Sequence, residues 1–170
     1  MFDFKQTFSQ LYDDYVEKIY RFVFIKVNSR EIAEDLTSET FLRAWKRFQE
    51  NKDKIRNHPA FFYQIARNLV TDYYRGKDKM KVIFAEYDQI VDPSINFEDK
   101  AVFNSDLEGV KKAISCLKDS YQEVIIWHYL DDLSIPEIAD LSKKSEGNVR
   151  VNLHRALEAL KKELTEIKKV

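Results

Sequence analysis

One cysteine, three glycines and three prolines in 170 residues leave the chain short of what several protein classes depend on. A lone Cys116 cannot close an internal disulfide or furnish a multi-cysteine zinc site, and it fits a reducing compartment. So little glycine and proline withholds the turn punctuation of a multi-stranded β protein. No stretch approaches the roughly 18 uninterrupted apolar residues of a membrane span. The start, Met1-Phe2-Asp3-Phe4-Lys5-Gln6, lacks a basic segment followed by an apolar one, so neither export nor membrane insertion is expected and the cytoplasm is the expected location. A catalytic cluster is also missing. His58, His128 and His154 are scattered, Asp131-Asp132 reads as a loop pair, and Cys116 has no histidine near it in sequence. No enzyme, cofactor, metal or small-molecule substrate is expected.

What the chain does have is 44% hydrophobic residues with 14% aromatics, enough to pack cores, and charged residues falling in helix-like patterns. An all-α fold follows. The net charge of −1 hides an uneven distribution. Residues 43–81 carry eleven Lys/Arg against four Asp/Glu, residues 143–162 six against two, and residues 85–108 one against seven. Two basic segments therefore flank an acidic one, and clustered basic charge is the footprint of phosphate binding.

From Phe8 to about Val27 the positions Leu11, Tyr12, Tyr15, Val16, Ile19, Tyr20 and Val23 make one helical face. A second helix is expected from about Ser29 to Phe48, with Ile32/Ala33, Leu36, Phe41, Ala44/Trp45 and Phe48 inward. Asn57 as a cap and Pro59 in the first turn start a third, carried by Phe62, Ile65/Ala66, Leu69 and Tyr73 as far as Gly76. Periodicity weakens between about Lys81 and Asn104, a linker containing Asp92-Pro93-Ser94, and returns from Leu107. The expected architecture is two small helical domains, 1–81 and 107–170, held apart by an acidic tether at 82–106.

In the second domain Ser134-Ile135-Pro136-Glu137 has capping-box form. A short helix from Ser134 to about Leu141, a turn, and a longer helix capped by Ser145 and striped by Val149, Leu153, Leu157, Leu160 and Leu164 make a helix-turn-helix pattern. Asn148, Arg150, Val151, Asn152, His154 and Arg155 point off the apolar stripe. Arginine pairs bidentately with guanine and asparagine with adenine, while Lys143, Lys144, Lys161 and Lys162 suit phosphates. The same pattern also fits a plain helical hairpin with a charged outer face.

The third helix places Phe61, Tyr63, Asn68, Tyr74 and Arg75 near Arg56, Arg67 and Lys77. Outward aromatics on a basic surface suit single-stranded DNA, where stacking contributes about 1–3 kcal/mol per base. The alternative is an ordinary amphipathic surface, with Phe62 and Tyr73 as core. On the second helix Asp35, Ser38, Glu39, Arg43 and Lys46 share a polar face beside Phe41 and Trp45, either a partner surface with aromatic anchors or a solvated face.

Taken together, three stretches resemble the extracytoplasmic-function group of the sigma-70 family: Ala33 to Trp45 (AEDLTSETFLRAW), Phe62 to Arg75 (FYQIARNLVTDYYR), and Leu133 to Ala139 (LSIPEIA) with Ser145 to Arg150 (SEGNVR) and Leu153 to Ala156 (LHRA). The resemblance implies a promoter-specificity subunit of RNA polymerase, with core polymerase and promoter DNA as partners and an anti-sigma factor as a further one. It implies polymerase binding by Asp35, Ser38, Glu39, Phe41, Arg43 and Trp45. It assigns minus-ten DNA to Arg56, Phe61, Tyr63, Arg67, Asn68, Tyr74, Arg75 and Lys77. Minus-thirty-five DNA falls to Lys143, Lys144, Ser145, Asn148, Arg150, Val151, Asn152, His154 and Arg155. The chain departs from the family pattern at Ser38, where Gln is usual, at Lys143-Lys144, where glycine and an apolar residue are usual, and at Val151-Asn152, where Ser-Arg is common. A free-standing repressor, the competing class, would need symmetric dimers on palindromic half-sites.

Overall fold

The computed structural model describes residues 2–51, 54–85 and 105–169; most of the expected tether, residues 86–104, lies outside the described residues. All the regular structure among the described residues is helical: α1 (Phe2–Val27), α2 (Arg30–Asn51), α3 (His58–Ala85), α4 (Ser105–Cys116), α5 (Asp119–Ile125) running on into a single π turn (Ile126–Leu130), α6 (Ile135–Ser142) and α7 (Glu146–Lys168).

Local chemistry sets the boundaries. Asn28 takes a left-handed conformation (φ 51°) and its N–H bonds to the Phe24 carbonyl at 2.8 Å, which closes α1. The Asn57 Oδ1 accepts the Ala60 N–H at 2.9 Å, capping α3 just ahead of Pro59. α3 does not stop at Gly76 but continues to Ala85, past the boundary expected at 81. A glycine inside a helix costs only about 1 kcal/mol relative to alanine, and nothing lies within 4 Å of the site of a Cβ at Gly76, so the residue neither breaks the helix nor serves a close approach.

α1, α2 and α3 bury Ile19, Phe22, Val23, Ala33, Ala44, Phe48, Phe62, Ile65 and Ala66 against one another. The second half builds its own interior from Ile114, Val124, Ile126, Ile138, Leu141, Val149, Leu153 and Ala156. Each large aliphatic or aromatic side chain so removed from water contributes about 1.5–3 kcal/mol.

The two halves are not held apart. Their buried residues form one apolar cluster. Phe22 of α1 stacks on Trp127 of the π turn with ring centroids 6.2 Å apart, and Tyr63 of α3 meets the same indole edge-on at 5.9 Å. Helical periodicity puts Trp127 on an apolar face but leaves Tyr63 off the α3 stripe; both are buried with Phe22 where the two halves meet. Arg150, by contrast, stays on the surface with its side chain 61% exposed.

Candidate nucleic-acid and polymerase interfaces

In the helix-turn-helix, the Ser134 hydroxyl accepts the Glu137 N–H at 3.3 Å while the Glu137 carboxylate accepts the Ser134 N–H at 2.8 Å. α6 ends on Lys143 in the left-handed conformation (φ 55°, ψ 41°). The N–H of Lys144 then bonds the Ala139 carbonyl at 3.0 Å and that of Lys143 the Asp140 carbonyl at 3.3 Å, the paired bonds of a Schellman motif. Ser145 caps α7 through the Asn148 N–H at 3.2 Å. Val149, Leu153 and Ala156 face inward, so Asn148, Arg150, Val151, His154 and Arg155 are exposed along the first turns of α7, with Lys143, Lys144 and Ser145 exposed beside them. Asn152 is the exception: it is half-buried and donates to the Ser120 carbonyl at 3.1 Å, bracing α7 against α5. Arg150 and His154 each meet an acidic residue four positions away, Glu146 at 3.1 Å and Glu158 at 3.4 Å, pairs loose enough for DNA to displace.

On α3 and in the segment just before it the candidates divide. Arg56, Asn68, Tyr74, Arg75 and Lys77 are exposed and Phe61 is half-buried. Tyr74 donates its hydroxyl to the Lys26 carbonyl, and partial burial raises its pKa. Phe62 is fully buried, as its place in the stripe requires. Tyr63 is fully buried too, its hydroxyl donating to the Asp131 carboxylate of the other half. Arg67 pairs with Glu123 at 3.0 Å and lies 5.8 Å from the Trp127 ring centroid. Part of the face expected to meet DNA is thus covered by the second half.

Asp35, Ser38, Glu39 and Arg43 lie along the outer side of α2, Asp35, Ser38 and Arg43 exposed and Glu39 half-buried, with Arg43 and Glu39 paired at 2.6 Å. Trp45 is half-buried against Phe8, ring centroids 4.9 Å apart, and Phe41 is buried between Tyr12 and Phe62. The exposed apolar groups on this face are instead Leu42 (59%) and Tyr12 (44%). Tyr12 lines a groove of about 490 Å³ between α1 and α2, together with Val16, Tyr20, Glu34, Thr37, Ser38 and Phe41, and the buried Thr37 hydroxyl has no hydrogen-bond partner there. Leu42 was legible as an apolar residue off the α2 stripe; Tyr12 was not, because it belongs to the α1 stripe by period.

The arrangement defines a helical DNA-binding factor with an upstream three-helix domain and a downstream helix-turn-helix. The profile described as Sigma-70 region 2 matches residues 11–80, and that described as Sigma-70, region 4 matches residues 107–160. The ECF RNA polymerase sigma factor SigW of Bacillus subtilis is 31% identical over 172 aligned positions, covering 96% of this chain and 91% of that protein. SigM of the same organism is 30% identical over 163, covering 91% and 93%. The ECF sigma factor BldN of Streptomyces coelicolor is 32% identical over 155, and there the chain spans 91% of itself but only 59% of the relative. The chain belongs to the sigma-70 family, in its extracytoplasmic-function group. Such proteins give RNA polymerase promoter specificity at initiation and are not enzymes. In fold, the chain is similar to the sigma factor RpoE in its complex with the anti-sigma factor NepR from Bartonella quintana (TM-score 0.71, 23% identity, 97% of this chain and 98% of that one). It is similar also to CnrH in complex with the cytosolic domain of CnrY (TM-score 0.68, 20% identity, 95% and 90%). Among the described residues, no helix is long and apolar enough to cross a membrane.

Proposed function

We propose that the domain spanning about residues 1–81 docks on core polymerase through the outer face of α2 and holds the melted minus-ten strand on α3, while the domain at 107–170 reads the minus-thirty-five element through α7. The observation that carries this is the bare first half of α7: Asn148, Arg150, Val151 and Arg155 exposed behind a well-capped turn, with lysines at the turn itself. Recognition helices address base edges with their N-terminal residues, and the flanking cations take phosphates. On α2, Asp35, Ser38, Glu39 and Arg43 steer the approach, and Leu42 with Tyr12 supplies the apolar contact that buried Phe41 does not. Arg56, Asn68, Tyr74, Arg75 and Lys77 are the accessible minus-ten candidates.

An anti-sigma factor is a further partner, supported by the likeness in fold to two chains solved with theirs, and the site of action is the cytoplasm, where polymerase works. Copurification with core polymerase, followed by run-off transcription on a pool of genomic promoter fragments, tests the reading. Specific transcripts that need the chain are the expected result. Failure to bind core polymerase at moderate salt would refute it.

A further inference from the structure

Glu123, Trp127 and Asp131 stand at four-residue steps along α5 and its π turn, and all three face the first domain. Asp131, with a fully buried side chain, accepts from the Tyr63 hydroxyl and from the guanidinium of Arg21, whose Nη2 also reaches the Leu130 carbonyl at 2.9 Å. Glu123 Oε1 takes two cations at once, Lys26 at 3.1 Å and Arg67 at 3.0 Å. Between these carboxylates the Trp127 indole lies flat on Phe22, edge-on to Tyr63 and beneath Arg67. An anion, a flat aromatic group and a second anion, in a row on a surface of cations and aromatic rings, is the chemistry of a stretch of single-stranded nucleic acid: phosphate, base, phosphate.

We propose that this row is an internal stand-in for the melted strand, so that the second domain and single-stranded DNA compete for one surface made of Arg21, Lys26, Tyr63 and Arg67. The inference rests on the reading of α3 as the minus-ten helix and extends the surface onto α1, through Arg21 and Lys26. Distance supplies a second, independent argument. Elements centred near minus ten and minus thirty-five lie about 25 base pairs apart, or roughly 85 Å of B-form axis at 3.4 Å per pair. A chain whose Glu123 and Arg67 touch at 3.0 Å does not reach both. The closed arrangement is therefore a self-covered state, and opening exposes the cations at the moment the strand needs them.

The test breaks the seam from either side in the full chain. Glu123→Gln with Asp131→Asn removes the stand-in anions; Arg21→Gln with Lys26→Gln removes two of the cations. Radius of gyration by small-angle scattering reports opening, and anisotropy of a labelled 12-nucleotide promoter strand reports binding, with and without core polymerase. A chain open one-tenth of the time binds about tenfold more weakly than one always open. Both pairs should open the chain, but only the acidic-side pair should tighten binding, by about that factor. Trp127→Phe, which keeps the packing and shortens the flat group, should tighten it less. Equal tightening by both pairs would mean a mere latch and would overturn the proposal, as would opening with no gain in affinity, or no opening. If no variant binds the strand even with core polymerase present, the minus-ten reading itself falls and takes this inference with it.

Discussion

The turn of the helix-turn-helix contains a lysine where the backbone favours glycine, and replacing it separates fold from function in one substitution. Lys143 sits at φ 55°, ψ 41°, with both Schellman hydrogen bonds formed around it. A left-handed conformation costs an L-residue with a Cβ roughly 1–2 kcal/mol, and glycine escapes this. Glycine also widens the unfolded ensemble, which returns about 0.4–1 kcal/mol of that gain. The net for Lys143→Gly is then a stabilisation of about 0.5–1 kcal/mol. For a chain of this size each kcal/mol moves the melting midpoint by about 2–4 °C, so a rise of roughly 1–4 °C is expected by calorimetry or circular dichroism. The same change deletes an exposed cation from the proposed phosphate contacts, so the slope of log affinity against log salt for the upstream duplex should fall by about one. Lys143→Ala is the control: it loses the charge but keeps the Cβ, so it should shift the salt slope without raising the midpoint. A glycine variant that melts no higher than the alanine variant would refute the strain account.

Other substitutions address the remaining assignments. Arg150→Ala or Asn148→Ala should cut run-off transcription from a cognate promoter about tenfold or more each, in line with the discrimination of a bidentate base contact, while binding to core polymerase is unchanged. Asp35→Ala with Glu39→Ala should weaken polymerase binding, more at low salt than at high, and spare upstream duplex binding; the reverse pattern would mean that the domains have been assigned each other's tasks. Asp131 gives a pH dependence. Burial raises its pKa above the usual carboxylate value, outweighing the opposing hydrogen bonds from Tyr63 and Arg21. Its contribution is thus fully present below the ordinary aspartate pKa of about 4 and is lost as pH rises through the raised value. The midpoint of the wild type relative to Asp131→Asn should therefore fall as pH rises from about 3.5 to 7. A difference constant with pH would count against burial as the cause.

The caps were the most legible feature of the sequence. Asn57, Ser134 with Glu137, and Ser145 each make the hydrogen bond that their residue type and spacing imply. Such signals act over three or four residues and need no knowledge of the rest of the chain. Inward stripes were nearly as clear, since Phe62, Val149 and Leu153 are buried as their period demands. Tyr63 was harder. It adjoins Phe62 and lies off the stripe of its own bundle, so the sequence places it outward; it is buried because a second helical surface arrives from about seventy residues away. Asn152 escaped for a similar reason, its amide being claimed by the Ser120 carbonyl across α5. Phe41 carries the ambiguity of a wide apolar face, where position along the stripe does not say whether a ring ends as an anchor for a partner or as core. Charge runs predict the surfaces that meet phosphate but not the carboxylates of the same chain that reach them first.

The make-up of the seam between the domains bears on why it can open. Its apolar part includes the rings of Phe22, Tyr63 and Trp127, and beside them stand ion pairs: Asp131 with Arg21, and Glu123 with Lys26 and Arg67. Desolvating such pairs offsets most of their Coulomb attraction, so they contribute little net strength for the area they occupy. The indole N–H of Trp127 is buried without a partner, as is Nε of Arg21, and each such orphan costs about 1–3 kcal/mol that separation would recover. A seam built for permanence would replace these groups with aliphatic side chains of equal volume. Charged groups instead fix the register in which the domains meet while keeping the energy of contact small, and they leave behind, on parting, a surface already complementary to a polyanion. Leucine at Glu123 and Asp131 alone would leave Arg21, Lys26 and Arg67 without their counter-ions, so it should part the domains rather than lock them; locking needs both sides of each pair made aliphatic at once.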